Sequence, residues 1–124
     1  MELRIFTNTA DFDALRADWN PLLARSHANT LFLTWEWQTT WWRCLGEGDL
    51  YLLAWYEADR LVGIAPLYLH DVDSGQRRFD LVGCVEVSDY LDLIIQPGYE
   101  DAVYAGYLAW LTSPACPAWD AAQL

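Results

Sequence analysis

Lysine is missing altogether from this 124-residue chain. Its seven basic residues are all arginines and stand against eighteen carboxylates, a formal net charge of −11. A phosphate backbone needs a basic stripe to neutralise it, and Arg77-Arg78 is the only basic pair, so nucleic acid is not expected as a partner. The same balance argues against an anionic membrane surface, and the acidity reads as solubility and self-avoidance rather than as a cation site. Cysteine is scarce too. Cys44, Cys84 and Cys116 are odd in number, widely spaced and without a Cys-x-x-Cys pair, which suggests neither a zinc site nor a disulfide framework. Long apolar runs are also lacking: the longest, "AVYAGYLAWL" at 102–111, is half of the roughly 20 residues that span a bilayer. The opening "MELRIFTNTADF" carries charge at once and has no apolar core of a secretory signal. A reduced, cytoplasmic setting is the expectation, and the length suits one domain.

What the chain has in plenty is tryptophan. Four of its eight fall in "TWEWQTTWWRCLG", residues 34–46. With Thr34 as cap and about 100° per residue, Trp37, Trp41, Cys44 and Leu45 share one helical face, with Trp35 and Trp42 at its margin. Glu36, Thr39, Thr40 and Arg43 fall opposite. A face that wide is what a helix buries against a sheet, so Trp37 and Trp41 read as core. Trp35 and Trp42 stay open between core and a stacking surface.

Around this helix the pattern is mixed. "ELRIF" alternates as a short first strand. "TNTADFD" starts a helix, with Asn8 or Thr9 as cap and Asp11 and Asp13 in the first turn. Phe12, Leu15, Trp19, Leu22 and Leu23 recur at helical spacing, and Pro21 predicts a stop near Asn20 and a restart. "LYLLAWYEADRLVGIAPLYL" at 50–69 reads as two strands joined at "EADR", with a bulge or an edge position near Gly63 and Pro66. "FDLVG" and "VSDYLDLIIQP" suggest two more strands, and "GYEDAVYAGYLAWLTS" a helix burying Val103, Tyr107, Leu108 and Leu111. The tail "AWDAAQL" looks like the entry to another strand.

Few residues offer chemistry. "SDYLD" places Ser88, Asp89, Tyr90 and Asp92 close in sequence, but a period of two turns Asp89 away from Tyr90 and Asp92, so paired-carboxylate catalysis is not expected. His27 and His70 lie in polar segments and read as surface imidazoles. No nucleophile, and no metal ligand set, can be named.

The order strand, two helices, hairpin, strand, strand, helix resembles the front half of a GNAT-type N-acetyltransferase. More specifically, "FLTWEWQTTWWRCLG", "RLVGIAPLYL" and "VSDYLDLIIQPGYED" look like the N-terminal region of the two-lobed acyltransferases related to the FemAB and CelD (cellulose-biosynthesis-associated) proteins. The likeness runs from about residue 3 onward and covers about the first third of such a protein. It implies an α/β (α+β) fold, with a mostly antiparallel sheet, two N-terminal helices and one later helix. It also implies acyl transfer from acetyl-CoA or another acyl-CoA to an amine. Members of the superfamily hold the CoA pyrophosphate on a Gln/Arg-x-x-Gly-x-Gly/Ala loop, whose backbone N–H groups approach the phosphates. At the matching place, "IIQPGYEDAVYAG", this sequence keeps Gln96 and Gly98 but puts Glu100 and Asp101 where the anion belongs.

The expectation is therefore a single degenerate GNAT-like lobe, residues 1–124, that holds no cofactor alone. It would be completed by a missing second lobe or another chain, with an exposed apolar face prone to self-association. No catalytic residue is assigned, and Trp35, Trp42, Ser88, Asp89, Tyr90 and Asp92 are the candidates for an acceptor or partner-lobe surface. The alternative is a non-catalytic carbohydrate-binding or protein-interaction module using the Trp-rich helix.

Overall fold

The computed structural model describes residues 1–27, 31–72, 75–83 and 93–122. It is an α+β arrangement in chain order: β1 (Glu2–Phe6), α1 (Asp11–Arg25), a 3₁₀ turn (Leu31–Leu33), α2 (Trp35–Leu45), β2 (Asp49–Glu57) and β3 (Arg60–Asp71). There follow β4 (Arg77–Leu81), β5 (Ile94–Ile95), α3 (Glu100–Leu111) and β6 (Ala121–Ala122). The sheet order is β1-β2-β3-β4-β6, with β5 beside β3. All pairs are antiparallel except β4 with β6.

Alternating side chains send the two sheet faces to separate cores. Leu50, Leu52, Ala54, Ile64 and Tyr68 meet α1 and α2, whereas Leu53, Trp55, Leu67, Leu69 and Phe79 meet α3. The hairpin turns through Ala58 and Asp59, both at positive φ (49° and 66°), so this two-residue turn has the backbone sense that matches strand twist. The register shifts by one residue between Trp55/Gly63 and Tyr56/Leu61, which is the expected bulge.

Pro66 is not on an edge. β4 and β5 lie end to end along the side of β3 away from β2, as two halves of one interrupted strand. Val82 donates its N–H to Pro66 O (2.8 Å) and Ile64 is opposite Ile94. Pro66 and Ile64 are two residues apart on β3, whereas Val82 and Ile94 are twelve apart along the chain. Because Pro66 has no N–H to return, the Val82 carbonyl is free of the ladder, and the side chain of Gln38 in α2 donates to it instead (2.9 Å).

Three helical expectations change. α1 runs straight through the exposed Pro21, since stopping at Asn20 would withdraw the fully buried Leu22 and Leu23 from the core. Burying each is worth about 1.5–3 kcal/mol, against about 3 kcal/mol for a helix-interior proline. Neither Asn8 nor Thr9 caps α1 with its side chain: Asp11 reaches back to the Asn8 N–H (3.0 Å), and the Thr9 hydroxyl accepts from Trp42. In α3 the inward residues are Val103, Tyr107, Trp110 and Leu111, while Leu108 is 53% exposed.

Candidate functional site

α2 carries the tryptophans as expected, capped by the Thr34 side chain on the Trp37 N–H, but it is rotated from the expected face. Its buried residues are Trp35, Gln38, Thr39, Trp41 and Trp42, and Cys44 and Leu45 are exposed. The reason lies in the polar atoms. Trp35 Nε1 donates to Phe12 O (2.7 Å), Trp42 Nε1 to Thr9 Oγ1 (3.0 Å), and Gln38 Nε2 to both Phe32 O (2.8 Å) and Val82 O. The indole N–H groups of Trp37 and Trp41 find no acceptor among the described residues. A helix turned to bury the other face would leave more donors unpaired. Trp37 instead lines, with Thr40, Trp41, Cys44 and Leu45, a shallow apolar groove of about 210 Å³.

Trp35 is 8% exposed and lies beneath the Arg16 guanidinium, 4.7 Å from its ring. Trp42 is 9% exposed, and its edge forms one wall of an open polar cleft of about 450 Å³. The cleft lies where the end of β1 meets the start of β2, and Thr7, Asn8, Thr9 and Asp49 supply its polar side chains. The Tyr51 ring turns to the other sheet face, against Phe79 and Trp110, where burial first and the Asp49 charge second raise its phenol above the ordinary range. Asp49 is held by Arg77 (3.3 Å), which Asp71 also approaches (3.5 Å). Hydrogen-bonding groups of both kinds beside an aromatic edge suit a small hydroxylated or amino ligand. Ser88, Asp89, Tyr90 and Asp92 lie outside the described residues.

A second cluster was not legible in sequence. His70 is not a surface imidazole: its Nε2 and the Asp80 Oδ2 are 2.6 Å apart, Arg78 Nε adds a second contact to that oxygen (2.9 Å), and Asp80 is buried. Tyr68 stacks on the imidazole (4.6 Å between ring centroids) and meets Trp41 and Trp42 on its other side. The signal was parity: His70 and Asp80 share a sheet face only once His70 is registered opposite Arg78. Since the imidazole is held on one nitrogen and enclosed by Tyr68, the cluster pins β3 to β4. Among the described residues, no three or more His, Cys, Asp or Glu gather to hold a metal ion.

The loop before α3 is the third element of interest. Gly98 turns at φ +96°, and its N–H donates to Glu100 Oε1 (2.8 Å). The Glu100 carboxylate is lowered below its ordinary range by its own backbone N–H first and that of Gly98 second. A carboxylate of the chain thus sits on the amide groups at this helix start. Gln96 donates its backbone N–H to Val62 O (2.8 Å). No family model, no curated protein and no solved structure matches this chain.

Proposed function

We propose that the chain is the N-terminal, GNAT-like lobe of an acyl-CoA-dependent N-acyltransferase. In this reading it shapes the acceptor side, while a second lobe or another chain holds acyl-CoA. The observation that carries the reading is the order and sense of its elements: a strand, two helices, an antiparallel hairpin, a further antiparallel strand, then α3 crossing to the parallel β6. The reaction the resemblance implies is attack of an amine on the thioester carbonyl, which forms a C–N bond, breaks the C–S bond and leaves the CoA thiol. The family loop needs free N–H groups for the pyrophosphate, and Glu100 on the Gly98 N–H supports placing the donor elsewhere. The cleft beside Trp42 then serves the acceptor, with Asp49, Asn8 and Thr7 suited to an amine that also carries hydroxyls. A cytoplasmic setting goes with this reading and with the exposed free thiol of Cys44. Among the described residues no helix is long and apolar enough to cross a membrane.

Titration with acetyl-CoA, followed by tryptophan fluorescence, tests it. The expected result is no saturable response from the natural chain up to millimolar, and weak saturable binding by the Glu100→Ala, Asp101→Ala variant, in which the Gly98 N–H is released. Micromolar binding by the natural chain would overturn the supporting-lobe role. Silence from both proteins would remove the acyltransferase reading and favour a binding module.

A further inference from the structure

β1 is an edge of the sheet that pairs with nothing outward among the described residues, and it borders an incompletely covered apolar face. α3, with Cys116 and Trp119 after it, covers the second sheet face and leaves part of the β1 side open. Met1 (52% exposed) and Ile5 (41% exposed) therefore stand open, and Met1, Leu3, Trp55 and Ala109 line a hollow of about 380 Å³ beside the helix. On the opposite face of the same strand stand Glu2 and Arg4, both exposed and 2.5 Å apart, with the Arg4 guanidinium also beside Asp59 and 4.1 Å over the Tyr56 ring. An unpaired edge next to an apolar strip is a template for another strand, and natural edges are usually blunted by charge.

Here the charges do not blunt the edge against its own copy. From Met1 to Ile5 the strand reads apolar, acidic, apolar, basic, apolar. We infer that the chain forms a two-fold dimer by antiparallel pairing of β1 with β1 of a second copy, with Leu3 facing its symmetry mate. In that register Glu2 lies opposite the partner's Arg4 on one face, and Met1 lies opposite the partner's Ile5 on the other, each contact occurring twice. The backbone agrees. Pro66 O accepts from Val82 on the β4 side, so by alternation across the sheet Leu52 and Ala54 turn their polar groups to β1. Leu3 and Ile5 then turn theirs outward, and Leu3 exchanges two N–H···O bonds with its mate. No other register of two copies sets both acid against base and apolar against apolar. The net charge of −11 on each copy opposes association at long range, a repulsion screened beyond about 8 Å at physiological salt.

The test is sedimentation velocity at 0.15 M salt from micromolar to millimolar protein, with far-UV circular dichroism as a check of folding. The natural chain is expected to dimerise. Arg4→Glu, which sets acid against acid twice, is expected to weaken the dimer by about tenfold or more while the fold is kept. The swap Glu2→Arg with Arg4→Glu restores the complementarity and should restore the dimer. Leu45→Ser, in the α2 groove, should leave it unchanged. A natural chain that stays monomeric at millimolar, an Arg4→Glu dimer of unchanged affinity, a swap that fails to rescue, or dissociation by Leu45→Ser would each overturn the β1 interface.

Discussion

A proline in a central strand takes one donor from its neighbour, and at Pro66 that donor is supplied from a helix. Gln38 holds Val82 O and Phe32 O with one amide nitrogen, tying the start of α2 and the end of β4 together. Gln38→Met keeps the volume and removes both bonds, so it should destabilise the fold by about 2–3 kcal/mol in urea unfolding. In a Pro66→Ala background the new N–H at position 66 can reach Val82 O, and the loss should shrink by about 1 kcal/mol. Additive effects in that double-mutant cycle would show that the two positions do not share the carbonyl. None of this was legible in sequence. Residues 35–45 gave a helix and its Thr34 cap correctly, but its rotation was read from where the indoles cluster. The structure sets it instead by where Trp35, Gln38 and Trp42 find acceptors, and those acceptors lie far away in the chain. The His70–Asp80 contact was hidden for the same reason, since it exists only in a register.

At the scale of elements, local signals sufficed wherever the pairing was local. Alternation located β1, the apolar runs on either side of "EADR" located β2 and β3, the bulge opposite Trp55 and Tyr56 fell where Gly63 pointed, and the tail does pair, as β6. What failed was the continuity of α1 through Pro21 and one position on the inward face of α3, where Trp110 takes the place of Leu108 beside the expected Val103, Tyr107 and Leu111. That face is fixed by two close approaches. A Cβ at Gly106 would be 2.7 Å from Trp55 Nε1, and one at Gly63 would be 2.8 Å from Val103 Cγ2, so α3 presses on the sheet where two side chains are missing. Gly106→Ala should therefore reverse the usual gain of about 1 kcal/mol from replacing a helical glycine. The expected net loss is about 1–2 kcal/mol, with a change in Trp55 fluorescence as α3 is pushed outward. A more stable variant with an unchanged spectrum would mean that α3 has room to spare.

Taken whole, the molecule is an acidic body with most carboxylates on its surface, and its pH dependence rests on a few of its groups. The Asn20 side chain first lowers the Glu36 carboxyl, and backbone N–H groups lower that of Glu100. A lowered carboxylate stabilises the fold above its unfolded pKa of about 4.3 and loses that contribution as pH falls through the folded value. At the other end, burial pushes the Tyr107 phenol up to about 12. Between roughly pH 10 and that value the unfolded chain gives up a proton that the folded chain keeps, so stability falls as pH rises. In urea titrations across pH, Glu100→Gln should flatten the acid limb and Tyr107→Phe the alkaline limb. Parallel profiles for variant and natural chain would assign those limbs to other groups.

The interrupted strand beside β3 has a consequence for how the chain can vary. Along an ordinary strand, inserting one residue turns every following side chain to the wrong face. Here β3 sets the register twice, once for Arg77–Leu81 and again for Ile94–Ile95, and each half keeps its own inward residues. An insertion within Arg77–Leu81 would turn the residues after it in that half to the wrong face, while Ile94 and Ile95, registered on β3 by their own pairs, would stay where they are.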